Sequence, residues 1–478
     1  MSTMRRGWLH LAAGAGFGRV FGFFCNLLLS RWLGPIDLGL FNLVTTTVQN
    51  TDTLVRLGAD YALNFELGGK SEVTLTRRFA QLVRAFVQIC SLTTVVLCSG
   101  VAIWVLWAQG LFPNPSQNNL RLILGLLLLL MIGLECVAVS AWEILLVSHK
   151  TSLLSLRQGL FFPLRLLFAS LGSFSFGVTG AMIGWISIST VQYLWLRRVL
   201  GGLWHPLHLT PILSRPISLL LKRGVPFYVA NLLSSIIFYP LLLKVAASSG
   251  LAEIGYLRIG QIVQQLFAFL PATLVPVLFL RLRAESSVID QVSAIERPFR
   301  IVWLLLLEVL LLYCSFDRLI IGLLFGPDFT AAVLPTRLLL LTALFEALTQ
   351  IVVQPLLAAG KTRLYGLWQN GAAILAAVIG WMWIPEAGLS AYLIVRMIYV
   401  TVPLIGFGTT VVKLLSEPRK ILPLTAVTVS LLTLSLFQIF EIQTLASAPF
   451  LYFSTSALLA FLRREDLFYV QRALLNRT

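Results

Sequence analysis

Long apolar runs fill the chain, and short clusters of polar and basic residues separate them. The run over 120–147 carries only Arg121, Glu135 and Glu143 as charges. A helix crossing a bilayer needs about 20 residues, within a range of roughly 17–25. On that measure the pattern predicts helices near 9–30, 38–62, 84–108, 120–147, 153–173, 177–196, 224–247, 255–280, 300–325, 335–358, 366–384, 388–412, 421–438 and 445–462. A membrane barrel would instead show segments of about ten residues with alternating polarity. Helices and closed barrels are the two structures that satisfy the backbone inside lipid. The expected fold class is therefore an all-α, polytopic membrane protein with about fourteen transmembrane helices.

Composition agrees with the pattern. Hydrophobic residues make up 58% of the 478 positions and charged residues 12%, whereas a soluble domain is about a quarter charged. The mean hydropathy is +0.88. The formal net charge of +16 raises the question of nucleic acid, but the basic residues form no single stripe. They fall between apolar runs, so no nucleic-acid partner is expected. One set of loops holds Arg5/Arg6, Lys70/Arg77/Arg78, Lys150/Arg157, Arg197/Arg198/Arg215/Lys222/Arg223 and Arg281/Arg283/Arg297/Arg300. Lys361/Arg363, Lys413/Arg419/Lys420 and Arg463/Arg464/Arg472/Arg477 continue it. The alternate loops are poor in Lys and Arg, and 173–179 has none. The positive-inside rule then places both termini in the cytoplasm, which an even number of spans satisfies. Arg19 interrupts the apolar segment after Arg5-Arg6 and no small-residue cleavage site follows, so the first helix is expected to remain as a span.

Several chemistries are set aside. Cys25, Cys90, Cys98, Cys136 and Cys314 lie in apolar stretches without metal-ligand or disulfide spacing. His205 and His208 share a loop that offers no third ligand. The stretch from Pro355 to Gly360-Lys361-Thr362 lacks the first glycine of a phosphate-binding loop and follows an apolar helix instead of a strand. No cofactor or metal is expected, and no polar stretch is long enough for a soluble catalytic domain.

The sequence repeats weakly. Gly34-Pro35-Ile36-Asp37-Leu38-Gly39 recurs as Gly250-Leu251-Ala252-Glu253-Ile254-Gly255. Farther on, Glu135 aligns with Glu346, Lys150-Thr151 with Lys361-Thr362, and Gln158 with Gln369. Both matches pair helices of like orientation. The expected organisation is two pseudo-symmetric six-helix lobes, 1–200 and 215–412, followed by two more helices within 421–462. In transporters built from such parallel repeats, substrate sites lie near the midplane between the halves.

With these motifs in view, the chain resembles Wzx-type polysaccharide flippases, in the superfamily that also holds MATE exporters and the lipid II flippase. Three stretches carry the resemblance. The first is Arg19 followed by Leu29-Ser30-Arg31-Trp32-Leu33-Gly34-Pro35-Ile36-Asp37-Leu38-Gly39-Leu40-Phe41. The second is Gly255-Tyr256-Leu257-Arg258, and the third is Leu324-Phe325-Gly326-Pro327-Asp328-Phe329 with Leu357-Ala358-Ala359-Gly360-Lys361. It covers most of the first 410 residues; Trp32 departs from the smaller or apolar residues commoner there. The resemblance implies a two-lobed transporter of the bacterial inner membrane working by alternating access. It would move undecaprenyl-pyrophosphate-linked oligosaccharide to the outer leaflet, beside a polymerase and other polysaccharide-assembly proteins.

Charges within spans are costly and usually face a cavity or a partner. Arg19 and Arg56 look like counterparts of functional arginines in the first two helices of the lipid II flippase. Guanidinium binds phosphate oxygens as a bidentate fork, so both are candidates for the substrate headgroup; a structural ion pair or interfacial anchor is the alternative. Asp52, four residues before Arg56, shares its helical face and could pair with it. Arg396, Lys244 and Arg258 are further substrate candidates, with snorkelling to the interface as the alternative for the last two. Asp52, Glu135 and Glu346 are candidates for a coupling ion, set against a plain hydrogen-bonded carboxyl. Gly14, Gly16, Gly18 and Gly22 should allow a close helix approach on the first span. Other functions stay open: export of lipid II or another substrate on the same scaffold, or a membrane enzyme of polysaccharide assembly.

Overall fold

A computed structural model describes residues 2–67, 77–110, 115–148, 151–201, 214–268, 288–358 and 362–414, and single positions at 204, 274–275, 278 and 282. Among the described residues there are helices and turns and no strand. The expected helices over 421–438 and 445–462 lie outside them. The elements are α1 (Ser2–Arg56), α2 (Ala59–Leu67), α3 (Arg77–Gly110), α4 (Pro115–Val147), α5 (Thr151–Leu156), a π-turn (Arg157–Phe161), α6 (Phe162–Leu200) and α7 (Ser214–Ser249). α8 (Leu251–Phe267), α9 (Val288–Leu324), a 3₁₀ turn (Pro327–Ala332), α10 (Val333–Val352), α11 (Gln354–Ala358) and α12 (Thr362–Leu414) follow.

Among the described residues six stretches are long and apolar enough to cross a membrane, and the chain is a multi-pass membrane protein. Large apolar side chains stand open along them: Val96, Phe174, Phe176 and Met382 are each more than two-thirds exposed. Lipid is the solvent that such a surface fits. Three of the long helices are pairs of expected spans joined at a break. Gly34 (φ 68°, ψ 178°) divides α1, Phe176–Gly177 divides α6, and Gly388 divides α12.

The breaks follow the sequence repeat. Gly177 (φ 57°, ψ −139°) and Gly388 (φ 55°, ψ −130°) share a backbone conformation and stand at the spacing that separates Glu135 from Glu346. Gly34 and Gly250, aligned in the first motif, both have positive φ (68° and 91°). A side chain at any of these four would be strained, because L residues disfavour the left-handed region.

By contacts the chain forms two compact units, Met1–Gly255 and Tyr256–Thr478. In the first, which takes in α7, the glycines of α1 do allow close approach. A Cβ at Gly14 would lie 2.9 Å from the Ser155 carbonyl oxygen, and one at Gly18 would collide with that of Gln158. The two halves of α6 fold back on each other through Gly172 and Gly180, each of which faces the other's carbonyl. α1 runs beside α7, where the Thr47 and Tyr239 hydroxyls lie 2.5 Å apart. Beyond α1, Glu66 of α2 pairs with Arg223 of α7. Trp142, Trp204, Phe41 and Phe86 fill the core, and the Trp204 indole donates to Ser140 Oγ at 2.9 Å.

In the second unit, α10 is buried along most of its length. Arg337 on α10 pairs through Nε with Asp317 of α9; the two side chains are only 8% and 4% exposed. Asp317 also accepts the Arg318 backbone N–H at 2.7 Å. Breaking a buried pair by removing one partner costs about 3–5 kcal/mol, while replacing both by apolar residues is often neutral. Arg337→Met should therefore lose about that much, and Asp317→Leu added to it should recover most. Thermal unfolding of the purified protein in detergent checks both.

Candidate functional site

α1 brings Asp52 and Arg56 to one face near its end. The helix stops at Leu57 and Gly58, both left-handed (φ 47° and 73°), and the chain turns so that Asp60 opens α2 beside the same guanidinium. Arg56 Nη2 donates to Asp52 Oδ2 at 3.1 Å, and Nη1 reaches Asp60 Oδ2 at 3.2 Å and Glu143 Oε1 at 3.4 Å. Three carboxylates thus converge on one cation whose side chain is 23% exposed. The expected Asp52–Arg56 pair is present, and Asp60 and Glu143 join it.

Glu143 lies eight residues after Glu135, on the same face of α4. Glu135 Oε1 sits 2.8 Å from Arg165 Nη1, and accepts from Ser189 Oγ at 2.7 Å and from the Trp185 indole at 3.2 Å. Arg165 also donates to Gln192 Oε1, and its guanidinium lies 5.6 Å over the Trp185 ring. All four partners come from α6, whose two halves carry them to one place: Arg165 before the Gly177 break, and Trp185, Ser189 and Gln192 after it.

The two clusters are joined by α4, which carries both Glu135 and Glu143, and Arg157 stands in the π-turn just before the α6 half that holds Arg165. Together they bring four carboxylates (Asp52, Asp60, Glu135, Glu143) and three guanidiniums (Arg56, Arg157, Arg165) inside the first unit. Such a constellation neutralises most of the cost of its charges and leaves one carboxylate in excess.

The remaining candidates stand elsewhere. Arg19 on α1 and Lys244 on α7 are half-buried. Arg258 on α8 is buried, at 8% exposure, where snorkelling would expect an exposed guanidinium. Arg396 on α12 is half-buried and hydrogen-bonded to Tyr392, one turn before it. Glu346 on α10 is half-buried, and among the described residues no hydrogen bond or ion pair reaches it. The repeat keeps its carboxylate but not the surroundings of Glu135: Ala376 and Val400 stand where the first half has Arg165 and Ser189.

Asp60, Arg157, Ser189 and Gln192 carry no site signal in the apolar pattern, and Glu143 shows there only as a charge within a span. Asp60 could have been found by its spacing, since it lies as far after Arg56 as Asp52 lies before it. Glu143 could have been found by its shared face with Glu135. Among the described residues no group of His, Cys, Asp and Glu could hold a metal ion.

No protein-family model matches the sequence, and no curated protein matches it. Solved structures do match. A lipid II flippase MurJ in an inward closed conformation superposes with a TM-score of 0.69 at 14% identity, over 97% of this chain and 99% of that one. An inward-facing multidrug resistance MATE family transporter of the MOP superfamily matches with a TM-score of 0.60 at 16% identity, over 83% of this chain and 96% of that one. An outward-facing one gives 0.58 at 15% identity, over 84% and 94%. At such identities the likeness is one of architecture, and the chain has the fold seen in these MOP-superfamily transporters.

Proposed function

We propose that the protein is a flippase that carries polyprenyl-pyrophosphate-linked oligosaccharide from the cytoplasmic to the outer leaflet, by alternating access, for cell-surface polysaccharide synthesis. The reading rests on one observation above others: the fold of a lipid II flippase extends over 97% of this chain. The sequence motifs that resemble Wzx-type flippases support it, as do the arginines held within spans. In this reading Arg19, Arg56, Arg258 and Arg396, with Lys244, offer cations to the diphosphate, and apolar helix faces accept the polyprenyl tail. The protein works as a transporter and not as an enzyme, in the inner membrane with both termini in the cytoplasm.

Membrane potential supplies a drive. One elementary charge crossing 100 mV changes energy by about 2.3 kcal/mol. A doubly negative headgroup leaving a negative interior gains roughly twice that. Asp52, Glu135 and Glu346 are the places where a coupling ion would bind. Glu346 is the cleanest of them, since no described residue already satisfies it. Glu135→Gln and Glu346→Gln are expected to flatten the pH or sodium dependence of transport; dependence unchanged in both would remove the coupling role.

Deletion should trap the lipid-linked sugar on the cytoplasmic face, measured by protease-free labelling of outer-leaflet glycan in intact cells. Normal appearance of the lipid-linked sugar outside, in a strain without a second exporter, would end the reading. A second reading, export of an organic cation, is favoured by the one excess carboxylate in the first unit. Efflux of a fluorescent cation that tracks expression of the protein would select it.

A further inference from the structure

We propose that Arg157 is a phosphate-gripping residue of the first unit, presented by its π-turn to the diphosphate of a lipid-linked cargo; this rests on the flippase reading above. The turn is wide, with the Phe162 N–H donating to the Arg157 carbonyl across five residues. π-turns inside helices recur at functional sites. This one is held from two sides. On one side α1 leaves no room to move: Gly18 has space for no Cβ against the Gln158 carbonyl, and a Cβ on Gly159 would stand 3.0 Å from Gly14 Cα. On the other side buried Phe161 packs against Trp195 at 5.3 Å and Trp142 at 6.1 Å between ring centroids. The backbone under Arg157 is therefore fixed, as a binding group requires.

Its side chain is not committed. Arg56 is held by three carboxylates, and Arg165 by Glu135, Gln192 and the face of Trp185. Arg157 is half-buried within the helical stretch 153–200 and lies in the field of Asp52. Yet among the described residues no acceptor forms a hydrogen bond or ion pair with it. A guanidinium has five donors in a fixed fork, and placing it in a span without acceptors is costly. The cost makes sense if a ligand supplies the acceptors. Phosphate is the anion whose oxygens match the fork two at a time. The nearby carboxylates would repel an anion held elsewhere on this face, but their field also keeps the Arg157 cation in place. An orienting charge at the cytoplasmic end of a span would explain the position too, and lysine would serve that role as well as arginine.

The test uses the full-length protein in lipid nanodiscs, with undecaprenyl diphosphate, undecaprenol and inorganic diphosphate as probes, read by native mass spectrometry. The wild type is expected to bind undecaprenyl diphosphate and not undecaprenol. Arg157→Gln should weaken that binding by roughly tenfold or more, and Arg157→Lys should fall between the two. The unfolding temperature should fall little in either, because among the described residues the Arg157 side chain makes no hydrogen bond or ion pair; Arg165→Gln, which breaks fold contacts, should lower it more. Binding by Arg157→Gln within about twofold of the wild type, or full affinity in Arg157→Lys, overturns the grip while leaving the flippase reading standing. Arg157-dependent binding of inorganic diphosphate without binding of the lipid overturns the lipid source. A wild type that binds neither phosphate probe takes the flippase reading down, and the grip with it.

Discussion

Arg56→Gln should destabilise the protein more than any single change to the acids around it. Asp52, Asp60 and Glu143 meet at this guanidinium within 3.1–3.4 Å. Asp60 and Glu143 are each only 8% exposed. Without the cation three partly buried carboxylates face one another where water screens them only in part, and like charges held close in such a setting repel. Removing one partner of a buried pair costs about 3–5 kcal/mol, and the loss here should sit at the top of that range. Asp60→Asn should cost less, about 1–3 kcal/mol, because the guanidinium keeps two acceptors. Adding Asp60→Asn and Glu143→Gln to Arg56→Gln should restore much of the stability. Unfolding followed by intrinsic fluorescence in detergent measures each variant. If Arg56→Gln stays within about 1 kcal/mol of the wild type, the ion pairs carry no stability, and Arg56 is kept for a ligand instead.

Gly180→Val is the second large effect. A Cβ at Gly180 would collide with the Gly172 carbonyl and stand 2.9 Å from Phe176 Cβ. Neither neighbour is the movable tip of a long side chain. Overpacking costs roughly 1–3 kcal/mol where side chains can give, and a backbone clash should exceed that. The two halves of α6 would have to part, which would separate Arg165 from Ser189 and Gln192 as well. Gly180→Val is thus expected to lower the yield of folded protein and, in what folds, to loosen the Glu135 network. Gly100→Val, where nothing lies within 4 Å of a Cβ, is the control and should be nearly silent. Equal yields and unfolding temperatures for the two variants would count against the close crossing.

Much of the architecture is written locally. Spans follow from unbroken apolar length, and the turns inside them fall at Gly34, Gly177 and Gly388, residues that tolerate positive φ. The repeat is legible because its halves keep matched glycines where the backbone must break. Side-chain partnership is a different matter. Glu135 and Glu143 share a face of α4, and packing alone decides that one meets Arg165 and the other Arg56. Asp60 keeps a four-residue spacing from Arg56 although Leu57–Gly58 ends the helix between them, so the turn and not a continuous helix brings it to the guanidinium. Arg157 reads as loop charge since basic residues gather at cytoplasmic span ends, and a π-turn leaves no mark in composition. Arg258 reads as a snorkelling residue near a helix end, yet neighbouring helices cover it.

The π-turn at Arg157–Phe161 means that the chain holds one residue more than a regular helix would need there. Each α-helical residue advances the direction of its side chain by about 100°. Excising a single residue from this stretch would let the helix close up into regular turns while Thr151 to Leu156 keep their directions against α6, because the wide turn is what absorbs the extra residue. Ser155 would then stay against Gly14, and the glycine face of α1 would keep its fit. A one-residue deletion in this stretch should therefore be far milder than one in the regular part of α6, which would turn every side chain before it by about 100°.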